Sequence, residues 1–337
     1  MKNASVPQPI ISPAELLEIA VGYQKSQTLF TFAELKIPDL LANREMSANE
    51  LAEKLGIHPL AMERFLNACA AIGLLRRHGD FFANSDLTKN LLVEGGENYL
   101  GGQLKRYQNR SYPQWEKLTE HLRDWKYGAG VDKNPEADDQ GAEAMAEQHN
   151  LALLHGHALA ESFDFSGFSQ LLDLGGGSGA MSIALCEKLP HLRATVFDLP
   201  ENIAKAEEMI AEKNLQKRIK CVGGDILKDD LPEDFDVALL ANLLAVFDAE
   251  TNKELFGKIY EKLPAGGAAL VSGWILDEDR TSPEVAVLFC LEDICWNAPD
   301  VERTFTTYRE WLESANFEEI TIKTYFEPTK LISAFKK

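Results

Sequence analysis

The sequence predicts an α/β protein: a doubly wound parallel sheet preceded by a helical domain of winged-helix outline. Three observations predict it. Short apolar strands alternate with amphipathic helices from residue 170 onward. A glycine-rich run, Gly175-Gly-Gly-Ser-Gly179, stands between the first strand and the helix that follows it. Far upstream, residues 47–83 read helix, turn, helix, hairpin.

Taken in order, residues 13–42 carry apolar side chains at three- and four-residue steps and are expected to be helical. Ser47-Ala-Asn-Glu50 is a capping box that opens a helix from Ala48 to Lys54, stopped at Gly56. His58-Pro59 starts a second helix through Ala71, ended by Gly73. Leu74–Arg77 and Phe81–Ala83 flank the turn His78-Gly79-Asp80 and read as a hairpin. Leu100–Trp125 and Ala142–Phe163 read as helices, separated by a Gly-, Pro- and Asp-rich loop over 128–139. Strands are expected at Leu171–Leu174, Ala194–Phe197, Ile219–Val222, Phe235–Leu240 and Ala268–Val271, with helices at Ala180–Leu189, Glu201–Lys213 and Ala249–Leu263 between them. Two late strands, near Glu319–Thr324 and Leu331–Phe335, suggest a hairpin appended at one edge. The resulting division is 1–100 for the winged-helix domain, 101–163 for connecting helices that line a substrate pocket, and 164–337 for the sheet domain.

Composition narrows the function. The chain has 337 residues, 45% hydrophobic and 26% charged, with a net charge of −19. A surface this acidic repels phosphate backbones and anionic lipid, and the second helix of the winged-helix outline carries Arg64 as its only cation. Neither nucleic acid nor membrane is therefore an expected partner. No apolar run reaches the ~18–20 residues of a membrane span, and no signal peptide is visible. The five cysteines are scattered and show no metal-ligand spacing, so no metal is expected and a reducing cytoplasm is the expected home.

Ligands of such sheets bind at the carboxyl ends of the strands. Three signals stand there. The glycine run, with Asp173, Gly175 and Gly177, lets backbone amides approach a ligand in front of a helix N-terminus. Asp198, followed by Leu199, ends the second strand, where a carboxylate can accept ribose hydroxyls. Gly224-Asp225-Ile226 ends the third, suited to hold an adenine between an apolar and a polar side chain. The glycine run alone also fits the dinucleotide fingerprint. The four glycines in five residues, with an acid after strand three as well, look instead like the S-adenosylmethionine-dependent methyltransferase core.

The resemblance becomes specific over nearly the whole chain. Leu172-Asp-Leu-Gly-Gly-Gly-Ser-Gly179, Phe197-Asp-Leu-Pro200, Gly223-Gly-Asp225-Ile, Leu263-Pro-Ala-Gly-Gly267 and Asn297-x-x-x-x-Glu302-Arg-Thr304 together resemble the class I small-molecule O-methyltransferases of plants and bacteria, of caffeate, acetylserotonin and polyketide type. Ile37-Pro-Asp-Leu-Leu41, Glu50-Leu-Ala-Glu53 and Phe65-Leu-x-Ala-x-x-Ala-Ile-Gly-Leu74 look like that family's all-helical winged-helix dimerisation domain, hairpin apart. The resemblance implies a Rossmann-like sheet and a homodimer joined through the N-terminal domain. It also implies S-adenosylmethionine, with S-adenosylhomocysteine as product, held by Asp173, Gly175, Gly177, Asp198, Leu199, Asp225, Ile226 and Asn242.

One motif departs from the family. Its catalytic stretch after strand four reads roughly Lys-Asn-x-Leu-His-Asp-Trp-x-Asp-Glu, and here the segment is Ala241-Asn-Leu-Leu-Ala-Val-Phe-Asp-Ala-Glu250. The histidine position falls on Ala245, and the family's first base-orienting glutamate falls on Gly273; the second is matched by Glu302. A positioned histidine contributes roughly 10²–10⁴-fold, which alanine cannot supply. Glu292, Asp293 and His149 are therefore catalytic candidates beside Glu302. Met145, Tyr107, Arg110, Trp115, Phe289, Trp296 and Asn297 are candidates for the substrate wall. His155 and His157 read as structural. The expected function is methyl transfer to a small aromatic or polycyclic acceptor without a histidine base. The alternatives are a cofactor-binding but non-methylating enzyme on the same scaffold, or a ligand-sensing winged-helix regulator.

Overall fold

A computed structural model describes residues 12–125, 141–295 and 303–337. The chain divides into two compact units, Met1–Gln108 and Asn109–Lys337.

The first unit holds α1 (Pro13–Ala20), α2 (Tyr23–Glu34), α3 (Ile37–Leu40), β1 (Met46–Ser47), α4 (Ala48–Leu55), α5 (Pro59–Ala71), β2 (Leu75–His78), β3 (Phe81–Asn84), α6 (Asp86–Leu91) and α7 (Gly101–Arg106). The single helix expected over 13–42 is three. Gly22 separates the first two, and Lys36 enters the left-handed region at φ 52° before α3. The capping box forms as its sequence requires. Ser47 N–H donates to Glu50 Oε2 at 2.7 Å, Glu50 N–H donates to Ser47 Oγ at 3.3 Å, and Gly56 closes the helix at φ 65°. The hairpin gains a third strand, because Met46–Ser47 pairs with Phe81–Phe82 to give the order β1-β3-β2. Phe32, Leu51, Met62, Leu66 and Phe82 pack its core. Ser47→Ala removes one half of the capping box, and a loss of about 1 kcal/mol is expected in the unfolding of this unit by denaturant. A change indistinguishable from zero would show that the cap contributes nothing.

The second unit begins within a π-helical turn, Tyr107–Ser111, followed by α8 (Tyr112–Trp115), α9 (Leu118–Asp124) and α10 (Gly141–Ser162). The helix expected over 100–125 is broken there, with Pro113 in the first turn of α8. The loop expected over 128–139 lies outside the described residues. Then come β4 (Gln170–Leu174), α11 (Ala180–Lys188), β5 (Arg193–Asp198), α12 (Pro200–Glu212), β6 (Ile219–Gly223), β7 (Val237–Ala241), α13 (Ala249–Lys262), β8 (Ala268–Gly273), α14 (Glu284–Cys295), α15 (Phe305–Ser314), β9 (Glu318–Phe326) and β10 (Thr329–Phe335). The seven strands lie in the order β6-β5-β4-β7-β8-β10-β9. The first five are parallel, and the late hairpin is antiparallel, so the sheet is mixed.

Parallel strands buried on both faces need two apolar layers. Leu171, Val196, Leu239 and Leu270 meet Leu153 and Leu159 of α10, Ile183 of α11 and Ile210 of α12. Leu172, Leu240 and Val271 meet Phe256 of α13 and Trp311 and Leu312 of α15. α15 went unforeseen, although Thr304 caps it and Phe305, Tyr308, Trp311 and Leu312 have helical spacing. Period-two alternation puts Asp173 on the face of Leu171, beneath α10 and α11. Among the described residues no helix is long and apolar enough to cross a membrane, and no His, Cys, Asp and Glu cluster could hold a metal.

Candidate active site

The strand order places β4 in the middle of the five parallel strands, with β5 on one side and β7 on the other. The glycine turn between β4 and α11 takes left-handed backbone at Gly175 (φ 64°), Gly177 (φ 54°) and Gly179 (φ 72°). Those angles are ones that glycine adopts at no steric cost. Space demands it too. A Cβ on Gly175 would lie 2.6 Å from Leu243 Cδ1, and one on Gly176 2.8 Å from Asp173 Cγ.

Behind this turn is a cleft with about 680 Å³ free of protein atoms, its open mouth included. Met145, Gln148, Ala152 and His155 of α10 form one wall. Asp173, Ala241, Asn242 and Ser272 form the other, from the ends of β4, β7 and β8. Burial holds His155 neutral by depressing its pKa to about 4, and its ring meets Phe326 edge-on at 4.6 Å. Asp173 is 1% exposed. Ser182 Oγ donates to its Oδ2 at 2.7 Å, while Oδ1 is buried with no partner. Burial, helped by the nearby Asp198 charge, lifts the Asp173 pKa to about 6 against the Ser182 hydrogen bond.

At the end of β5, Asp198 accepts from Gly177 N–H at 2.7 Å, Leu199 N–H at 2.8 Å and Asn202 Nδ2 at 2.6 Å. A carboxylate has about four acceptor positions, so capacity remains for a hydroxyl. The left-handed glycine turn, the unpartnered Asp173 oxygen and this carboxylate make a cradle that fits an adenosyl group bearing an amino-acid tail. At the end of β6, Asp225 accepts from Lys228 Nζ at 2.5 Å and from Leu227 N–H at 2.9 Å, and the lysine holds its carboxyl below the ordinary range. Ile226 is 7% exposed and belongs to the core beneath.

Two family models match this chain, one described as the O-methyltransferase domain over residues 115–318 and one as the O-methyltransferase dimerisation domain over residues 17–94. The chain belongs to the O-methyltransferase family. It is a methyltransferase that uses S-adenosylmethionine. Among its relatives is the 3-hydroxy-5-methyl-1-naphthoate 3-O-methyltransferase of Streptomyces sahachiroi, 32% identical over 97% of this chain and 95% of that one. The N,N-dimethyltransferase OxyT of Streptomyces rimosus is 32% identical over 81% and 82%. The crystal structure of human N-acetylserotonin methyltransferase in complex with S-adenosylmethionine superposes with a TM-score of 0.84. It is 28% identical and covers 98% of this chain and 99% of that one.

The other candidate residues of this methyltransferase are placed as follows. Met145 and Asn242 stand in the cleft wall. His149, on the same helix, is buried, and its Nδ1 hydrogen-bonds Ser178 Oγ at 2.8 Å. Glu292 is 8% exposed and accepts from Ser111 Oγ at 2.7 Å and Trp115 Nε1 at 3.1 Å, tying α14 to the turn before α8 and to α8 itself. Its neighbour Asp293 pairs with the buried Arg303 at 2.5 Å, and burial lifts its carboxyl to about 6 despite that partner. Arg110 lies 3.6 Å from Glu147 of α10. Phe289 packs edge-on against Trp274 at 4.4 Å. Tyr107 belongs to the first unit, and Trp296, Asn297 and Glu302 lie outside the described residues.

Asn202, Ser272 and Gln148 were not singled out from sequence, and His155, read as structural, turns out to wall the cleft. Their signals were present. Asn202 stands in the first turn of the helix that follows Asp198, and 145, 148, 152 and 155 share one face of α10.

Proposed function

We propose that this methyltransferase passes the methyl group to a small aromatic or polycyclic acceptor with no histidine acting as base. The carrying observation is the segment after β7. From Ala241 to Phe247 no side chain titrates, and Ala245 sits in a 3₁₀ turn, Leu244–Val246, beside the cleft wall of Ala241 and Asn242. The neighbouring imidazole, His155, is a weak base, because its burial disfavours protonation.

When bound, the cofactor supplies an electrophilic methyl group on a good sulfonium leaving group. The chain's own task is then alignment and exclusion of water, which can supply ~7–11 kcal/mol. Asp198 would hold the nucleoside end, and the glycine turn would let the amino-acid tail lie close. Asp173 faces the amino-acid end, and Met145 of α10 shields the cleft at Gly177, where a Cβ would meet its sulfur at 3.6 Å. Asn242, held at φ 54° with its Oδ1 3.6 Å from where a Cβ on Gly273 would stand, offers an amide to the cofactor. The naphthoate relative supports a ring-bearing acceptor, and the N,N-dimethyltransferase beside it leaves oxygen and nitrogen both open. Two copies pair through the first unit. Its family match and the exposed Leu16, Leu17 and Ile19 of α1 support this.

The test uses labelled S-adenosylmethionine with naphthols, catechols, aromatic amines, thiols and carbon acids. Label should reach an aromatic acceptor, and kcat/KM should rise with pH to a plateau set by that acceptor's own acidity. A plateau fixed by the enzyme, the same for acceptors of different pKa, would overturn the base-free reading. Ala245→His is expected to raise turnover of a weakly acidic catechol about tenfold, below the 10²–10⁴ of an evolved base because one of its two supports, at Gly273, is absent. No gain, in protein that still binds cofactor, would count against the assignment of that position.

A further inference from the structure

We infer that His149 is a positioning residue: through Ser178 it holds the glycine turn in the form that accepts the cofactor. The inference rests on the reading that this turn, with Asp198, takes the cofactor. His149 does not wall the cleft, and its ring nitrogen meets the hydroxyl of a residue inside the turn at 2.8 Å. Both partners are buried, His149 at 8% and Ser178 at 6% exposed. The preceding residue is braced from the opposite side, since Gly177 N–H donates to Asp198 Oδ2 at 2.7 Å. Consecutive residues of the turn are thus anchored to α10 and to β5.

The anchor on α10 is itself fixed. A Cβ on Gly156 would fall 2.6 Å from Ala184 Cβ and 3.2 Å from the Met181 carbonyl, so α10 rests directly on α11, the helix that the turn leads into. Met145 and His149 then project from a rigid support, one helical turn apart on the same face. Burial, with the charges of Lys213 and Lys205, keeps the imidazole neutral at ordinary pH, so the brace is constant there. A turn with three left-handed glycines has many conformations to lose when a ligand binds. Holding it beforehand removes that cost from binding.

The test is calorimetric titration of the full-length protein with S-adenosylhomocysteine, alongside melting of the ligand-free protein. His149→Ala and Ser178→Ala should each weaken binding about tenfold. The double variant should be no weaker than either single one, because both remove the same bond. His149→Asn, whose side-chain amide stands near the Nδ1 position, should stay within about threefold of the parent. Ser178→Ala carries the test if the helix variant does not fold. Binding within twofold of the parent in Ser178→Ala, additive losses in the double variant, or equal losses in His149→Asn and His149→Ala would each overturn the inference. Asp198→Ala separates the two levels. If it binds normally, the underlying reading falls and the inference with it; if it alone binds weakly, only the inference falls.

Discussion

Asp198→Ala is expected to weaken S-adenosylmethionine binding about a hundredfold. Hydrogen bonds to a charged group contribute about 1.5–3 kcal/mol each, so the one lost from a ribose hydroxyl amounts to roughly 10–10²-fold in affinity, and loosening of the turn adds to it. The substitution also strips Gly177 N–H, Leu199 N–H and Asn202 of their acceptor. The glycine turn then loses its tie to β5 at the same time as the ligand loses its partner. Asp198→Asn keeps the shape and one acceptor oxygen, and its loss should be about tenfold. Calorimetry on both variants checks this. A loss under fivefold in the alanine variant would move the nucleoside away from the end of β5.

The second large effect is on stability. Burial raises Asp173 to about 6 from an ordinary value of 3.8. Between those limits the folded chain keeps a proton that the unfolded chain has released, so folding stability falls as pH rises through that window. Above about pH 6 the full penalty remains, and a shift of this size corresponds to about 3 kcal/mol. Asp173→Asn carries no charge and can still accept from Ser182. It should melt above the parent at pH 8, and the difference should close as pH falls toward 4. A difference that is the same at pH 8 and pH 4.5, or a variant less stable than the parent at pH 8, would contradict the burial argument. The variant should also bind the cofactor less tightly, since it removes the negative charge that the carboxylate with its unpartnered Oδ1 would offer an ammonium group.

Much of this was legible in the residues. Alternating strands and helices from 170 onward, the capping box at Ser47 and the glycine turn are local patterns, and local patterns determine φ, ψ and burial directly. The breaks at Gly22, Lys36 and Pro113 were harder, because apolar spacing continues across them while the backbone does not. Partners across the fold were not legible at all. Nothing near Glu292 announces that Ser111, 181 positions away, donates to it. Helical spacing put His149 on the face of Met145, but what that face meets is fixed by where α10 lies on α11. The place of Asp225 after the third strand was legible, but its ion pair with Lys228, three residues on, was not.

The hairpin that ends the sheet has a consequence for assembly. β10 lies between β8 and β9, so the last of the sheet's seven strands to appear along the chain is an interior one. Until Thr329–Phe335 is in place, the backbone amides and carbonyls along one side of β8, and the whole of β9, have no neighbour to bond. Such open rims invite other chains. A growing chain therefore carries two open rims from the time β8 and β9 have been made until the strand ending at Phe335 slots between them.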